Sequence, residues 1–142
     1  MNYISSKTHL VIHDIVLLVV RLFVGFAMLS HGFPKLQLLL EGGDPKFFNF
    51  LGMGPHISLL LVVFAEFVCS ILLILGFFTR IIVGILMFTM AMAAFVIHAG
   101  DPFDKRELSL LYLAIYAILL TFGAGRFSID GMIEKRRRAT EW

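Results

Sequence analysis

The sequence predicts an all-α fold, an integral membrane four-helix bundle that takes up residues 1–142 as one domain. Of the 142 residues, 59% are hydrophobic and 15% are charged, and the mean hydropathy is +0.92. A soluble domain carries about 25% charged residues, and a chain this short leaves much of its folded surface exposed. Lipid rather than water is therefore expected to contact that surface.

Four apolar stretches are long enough to cross the hydrocarbon of a bilayer, which takes about 20 residues of helix. Only two of the 22 charged side chains fall inside them. Helices are required because lipid offers the backbone no hydrogen bonds and four strands cannot close a barrel. The first stretch has neither a basic start close before it nor a cleavage site, so it reads as a retained helix. The predicted helices are residues 15–33, 56–78, 81–99 and 108–125.

The basic residues predict how the bundle is oriented. The side with both termini has seven Lys and Arg residues and the side with the 34–55 loop has four, which favours cytoplasmic termini in a bacterial inner membrane. The loop would then lie outside, with a short interfacial helix beginning at Asp44-Pro45. The basic tail, 126–142, follows an apolar segment, so its partner is expected to be lipid and not nucleic acid.

Arg21 and Glu66 are the two charged residues inside the predicted spans. An ionisable group in the hydrocarbon costs at least ~2.5 kcal/mol, so each is a candidate functional residue. Counted from the inner helix ends, Arg21 lies about 9 Å deep and Glu66 about 18 Å deep. Long side chains can close that gap, so we expect the two to pair, either as a packing device or within a working site.

A second group of polar residues lies near the outer ends of the predicted helices. His31, His98 and Glu107 could converge with Glu66 on one cavity, where they could relay protons, hold a quinone oxygen or bind a metal. No metal-binding motif is present, so no metal site is predicted, and no catalytic residue can be assigned. Cys69, the single cysteine, lies in an apolar stretch and is expected to be inert.

Several motifs in this order resemble the DoxX-like membrane proteins. Helix one carries an arginine and ends in His-Gly-x-x-Lys. Helix two carries a glutamate and ends in Gly-x-x-Thr-Arg. Helix four begins near a glutamate and ends in Gly-x-Gly, which is followed by an aromatic residue, a serine and an aspartate. Where that family usually has paired glycines after the glutamate, this chain has Cys69-Ser70. The matching residues are Arg21, His31-Gly32-Phe33-Pro34-Lys35, Glu66, Gly76-Phe77-Phe78-Thr79-Arg80, Glu107, Tyr112, Gly123-Ala124-Gly125 and Phe127-Ser128-Ile129-Asp130.

The resemblance implies a four-helix inner-membrane fold and leaves several functions open. Some DoxX-like proteins are small subunits of thiosulfate:quinone oxidoreductase, and others belong to oxidative-stress or metal-linked complexes. The leading hypothesis is a membrane subunit of a quinone-linked redox or oxidative-stress complex, with Arg21, His31 and Glu66 at a quinone or proton site. The alternatives are a non-enzymic protein that assembles, anchors or carries a partner, and a small transporter. A protein partner or a homo-oligomer is expected beside the lipid bilayer.

Overall fold

The computed structural model describes the backbone of residues 3–140 and the side chains of residues 10–140. These residues form helices and no strand, which confirms the predicted all-α fold. Four long helices run back and forth to form a bundle, and a fifth follows the last of them. They are α1 (Tyr3–Glu41), α2 (Pro55–Leu75), α3 (Thr79–Ile97), α4 (Phe103–Phe122) and α5 (Ile129–Thr140).

Three helices among the described residues are long and apolar enough to cross a membrane: Leu10–Glu41 within α1, and the whole of α2 and α3. The fourth, α4, has 20 residues, but its first two turns hold four charged side chains, Asp104 to Glu107. Many large apolar side chains are exposed on the outside of the bundle, among them Phe23, Ile81 and Leu111. An outer surface of this kind is stable only against lipid.

The long first helix is the main difference from the sequence-based boundaries. We predicted residues 15–33, but α1 extends from Tyr3 to Glu41 and contains Pro34. The loop is correspondingly shorter, and the predicted interfacial helix at Asp44-Pro45 is wrong. Only a three-residue 3-10 turn forms there, Phe50–Gly52. Residues 44–49 are irregular. The Phe47 N–H donates to the Pro45 carbonyl (2.9 Å), which forms a γ-turn and not a helical turn.

Two wide turns interrupt the regular helices. One is at the middle of α2, and the other is at the end of α3 on the side of the bundle that carries the α1–α2 loop, called here the loop side. Phe64–Val68 in α2 and Ala93–Ile97 in α3 are π-helical. Such turns hold one extra residue and are frequent at functional sites. Glu66 lies inside the first turn and His98 follows the second directly.

A close crossing of α1 and α2 fixes the position of the first wide turn. A Cβ atom added at Gly32 would lie 2.7 Å from the Glu66 carbonyl carbon and 2.9 Å from the Phe67 nitrogen. Only glycine allows the two backbones to approach so closely. Gly32 therefore places the wide turn of α2 directly against α1.

Candidate functional site

An ion pair between Lys35 and Glu66 joins α1 to the middle of α2. The Lys35 ammonium contacts both carboxylate oxygens of Glu66, at 2.6 Å to Oε1 and 2.5 Å to Oε2. The Glu66 side chain is 5% exposed and that of Lys35 31%. The Ser70 hydroxyl donates to the backbone carbonyl of Glu66 (2.7 Å), one turn further along α2. Lys35 therefore supplies the charge that compensates a buried carboxylate.

The predicted pairing of Arg21 with Glu66 is wrong. The Arg21 guanidinium is 2% exposed and donates to the backbone carbonyls of Ala124 and Phe127, both at 2.6 Å. It lies against Gly76, ten residues beyond Glu66 on α2, which is about 15 Å along a helix axis. The two charges are therefore too far apart to pair: Arg21 lies at the end of α2 and Glu66 near its middle.

The end of the bundle around Arg21, called here the tail side, holds the C-terminal segment in place. Asp130 accepts hydrogen bonds from the N–H groups of Phe78 (2.9 Å) and Thr79 (2.8 Å), which cap the start of α3. Its own N–H donates to the carbonyl of Gly76 (3.0 Å). Gly76 ends α2 at φ 69°, and an added Cβ there would lie 2.7 Å from the Arg21 Nη1. Arg21 and Asp130 therefore act as a structural clasp.

An apolar cavity of about 640 Å³ opens between the α1–α2 loop, α2 and α3. Aromatic rings form much of its wall, from Phe47, Phe48 and Phe50 of the loop, Phe64 of α2 and Phe88 of α3. Phe50 and Phe88 meet edge to face with their ring centroids 6.4 Å apart. Lys35, Glu66 and His98 also line the cavity. The volume is within the range of about 300–1,000 Å³ typical of small-molecule sites.

A second, smaller cavity of about 220 Å³ lies between α1, α3 and α4. Its wall is much more polar and includes His31, Lys105, Ser109 and Tyr112. The His31 ring packs edge to face against that of Tyr112, with centroids 6.0 Å apart. Lys35, Glu66, Ala93 and His98 line both cavities. The ion pair therefore stands between an apolar space and a polar one.

Only three of the five residues of the predicted polar site lie together at the cavities. His31, Glu66 and His98 line the small polar cavity, whereas Arg21 and Glu107 line neither cavity. The His98 Nδ1 lies 2.7 Å from Oδ2 of Asp101, which fixes the ring at the end of α3. Among the described residues, no three His, Cys, Asp or Glu side chains are grouped so as to hold a metal ion. Cys69 is fully buried in the core.

Sequence reasoning missed Lys35 as the partner of Glu66. The prediction ended helix one before Pro34 and so placed Lys35 in a loop. In the structure α1 continues for seven residues beyond Pro34, and it brings Lys35 to the level of Glu66. The spacing of the His-Gly-x-x-Lys motif was the available signal, because in a continuous helix it places Lys35 about one turn after Gly32.

Comparisons with known proteins agree with this architecture. A family model described as DoxX matches residues 16–99, more than half of the chain. A protein of Haemophilus influenzae is 32% identical over 126 residues, which cover 82% of this chain and 89% of that protein. A second protein of the same organism is 28% identical over 133 residues, 89% of this chain and 88% of its own length. Both are described as uncharacterized, and no solved structure matches the chain.

Proposed function

The chain belongs to the DoxX family and is an all-helical membrane protein, and from that premise we propose that it binds a membrane quinone in its apolar cavity. In this proposal it is the membrane subunit of a quinone-linked redox complex in the bacterial inner membrane, with both termini in the cytoplasm. A partner protein supplies or accepts the electrons.

One observation carries the proposal: the apolar cavity has its available polar groups concentrated at Lys35, Glu66 and His98. The other hydroxyls on its wall already have backbone partners. Ser58 bonds the Phe50 N–H (2.8 Å) and the Gly54 carbonyl (2.7 Å), and Thr89 bonds the Ile85 carbonyl (3.0 Å). Such a cavity fits a flat, apolar molecule with oxygen atoms on its ring, since the polar atoms of the ring need partners and its tail does not.

The three polar residues have separate parts in this chemistry. Lys35 would donate a hydrogen bond to a carbonyl oxygen of the quinone ring. The Nδ1 of His98 faces Asp101, so its Nε2 would accept a hydrogen bond from a hydroxyl group of the quinol. Reduction of a quinone takes up two electrons from the partner and two protons, one on each oxygen, and oxidation of the quinol reverses both. Besides Lys35, the ionisable side chains at the cavity are Glu66 and His98, and the proposal assigns the proton exchange to these two.

Ligand binding by the purified full-length protein in nanodiscs tests the proposal. Calorimetric titration with a short-chain ubiquinone should show saturable binding. Thr89→Phe places a ring inside the apolar cavity and should weaken binding by about tenfold or more, which is about 1.4 kcal/mol. The matched control is Thr121→Phe, because Thr121 is exposed, lines neither cavity and makes the same kind of bond to a carbonyl of its own helix. Equal affinity in both variants, or no binding, would refute the proposal.

The non-enzymic alternative, an anchor for a partner protein, is favoured by α5. This helix carries exposed Met132 and Ile133 beside the basic run Lys135–Arg138, and Asp130 fixes its start to the bundle. Removal of residues 132–142 separates the two functions. Loss of the partner with quinone binding retained would assign anchoring to α5, whereas a protein that binds no quinone but still assembles its partner would favour the anchor function alone.

A further inference from the structure

We infer that the polar cavity is a proton passage, in which water links the Glu66 carboxylate to the loop side of the bundle. The inference rests on the proposed function and extends it, because it assigns separate routes to the quinone and to the protons. The quinone occupies the apolar cavity, and protons reach the shared ion pair from the opposite side.

The size and polarity of the second cavity support this role. Its 220 Å³ is well above the roughly 10–15 Å³ of probe-occupied space that one water molecule needs, so several waters fit. Buried water requires two to four polar partners, and His31, Ser109 and the Tyr112 hydroxyl supply them along the wall. The apolar cavity has no such partners away from the ion pair, so water would be poorly held there.

The position of Glu66 makes it the point of exchange between the two spaces. It belongs to both walls, and the π turn Phe64–Val68 presents it there. In the exchange an O–H bond of a hydrated proton breaks and an O–H bond forms on a carboxylate oxygen, while Lys35 keeps its charge. No electron moves in this step. The titratable groups that share a cavity wall with Glu66 or interact with its charge come from three helices. They are His31 and Lys35 of α1, His98 with Asp101 after α3, and Lys105, Tyr112 and Tyr116 of α4.

Infrared spectroscopy of the full-length protein in nanodiscs tests the exchange without any quinone. After a rapid drop in pH, a protonated carboxyl band should appear that Glu66→Gln lacks. Ser109→Leu fills the polar cavity and should slow that band by on the order of tenfold, about 1.4 kcal/mol of barrier. Ser30→Leu is the matched control, since Ser30 is an exposed serine that lines neither cavity. A missing band, or equal rates in Ser109→Leu and Ser30→Leu, would overturn the inference.

Thiol labelling gives a second measurement that does not depend on the leucine variant. In a Cys69→Ala background, a membrane-impermeant charged reagent should modify Ser109→Cys and leave Thr89→Cys unmodified. Modification of Thr89→Cys alone would show that water enters by the apolar cavity, which contradicts the passage. The quinone titration is independent of both measurements, so unchanged quinone binding with a negative result here would refute the passage and leave the proposed function standing.

Discussion

Removing Lys35 should destabilise the protein more than removing its partner. In Lys35→Met the Glu66 carboxylate stays 5% exposed with its countercharge gone, and breaking a buried pair in this way costs about 3–5 kcal/mol. The carboxyl can escape by taking a proton, which costs an ordinary glutamate about 3.7 kcal/mol at pH 7. The expected loss is therefore about 3–4 kcal/mol. In Glu66→Gln the lysine is already 31% exposed and can extend towards water, so the loss should be smaller.

The lone cysteine makes the measurement simple. Cys69 is fully buried, so a fluorogenic thiol dye reports unfolding of each variant in mild detergent. For a chain of this size, 3–4 kcal/mol corresponds to a fall in melting temperature of roughly 10 °C. Lowering the pH supplies the proton and should reduce the loss in Lys35→Met by up to about 1.4 kcal/mol per pH unit. Loss of the same size at every pH would contradict this explanation.

The double variant and a surface control complete the experiment. Lys35→Met with Glu66→Gln removes both charges. The stability that the double variant loses should therefore be smaller than the sum of the two single losses, by about 1 kcal/mol or more, as is typical of contacting residues. Lys46→Met removes a lysine from the exposed loop and should change stability by about 0.5 kcal/mol or less. If Lys35→Met behaves like Lys46→Met, or the two losses simply add, the buried ion pair does not stabilise the fold.

Three further predictions follow from other parts of the chain. Gly32→Ala should lower the free energy of unfolding by about 1–3 kcal/mol, because the new methyl group would overlap the backbone of α2. In the control, Gly84→Ala, nothing lies within 4 Å of the added atom, so the same dye assay should show no loss, or a gain of up to about 1 kcal/mol. Cys69→Ala should bind quinone with unchanged affinity, and a large loss with folding intact would show that the thiol has a chemical role. Asn49→Cys in that background should react with an impermeant reagent on intact cells, and reaction only after lysis would reverse the predicted topology.

The sequence was sufficient to predict the fold class because that class depends on the length and hydrophobicity of whole segments, not on single contacts. Apolar stretches long enough to span lipid, with only two charges among them, must be helical because lipid offers the backbone no hydrogen bonds, however the helices pack. The helix boundaries depend on single residues and were less predictable. Pro34 was read as an end of helix one, yet in a membrane neighbouring groups can satisfy the backbone that a proline disrupts. The π turns of α2 and α3 left no mark in the hydropathy pattern, since both lie within uniformly apolar stretches.

The polar site depended on these boundaries, which explains which of its contacts the sequence could reveal. Depth was counted from the ends of apolar stretches, and that method assigns a depth only to charges inside them. The depths of Arg21 and Glu66 differ by about 9 Å, which long side chains can span, so the sequence predicts that they pair. Lys35 lies outside the stretch and receives no depth. In the structure, Arg21 donates to the carbonyls of Ala124 and Phe127, and Glu66 pairs with Lys35.

This distribution of partners separates two kinds of buried charge in the same bundle. Backbone carbonyls hold Arg21 at the tail side, and they cannot lose or gain a proton, so the contact serves to close the fold. Glu66 is held by a lysine on the wall of two cavities, so its carboxylate is within reach of a molecule that enters either one. Arg21, held by backbone carbonyls next to Asp130, closes the fold, whereas the Lys35–Glu66 pair lines two cavities that a ligand or water can enter. That difference, and not burial alone, directs the search for chemistry to the loop side.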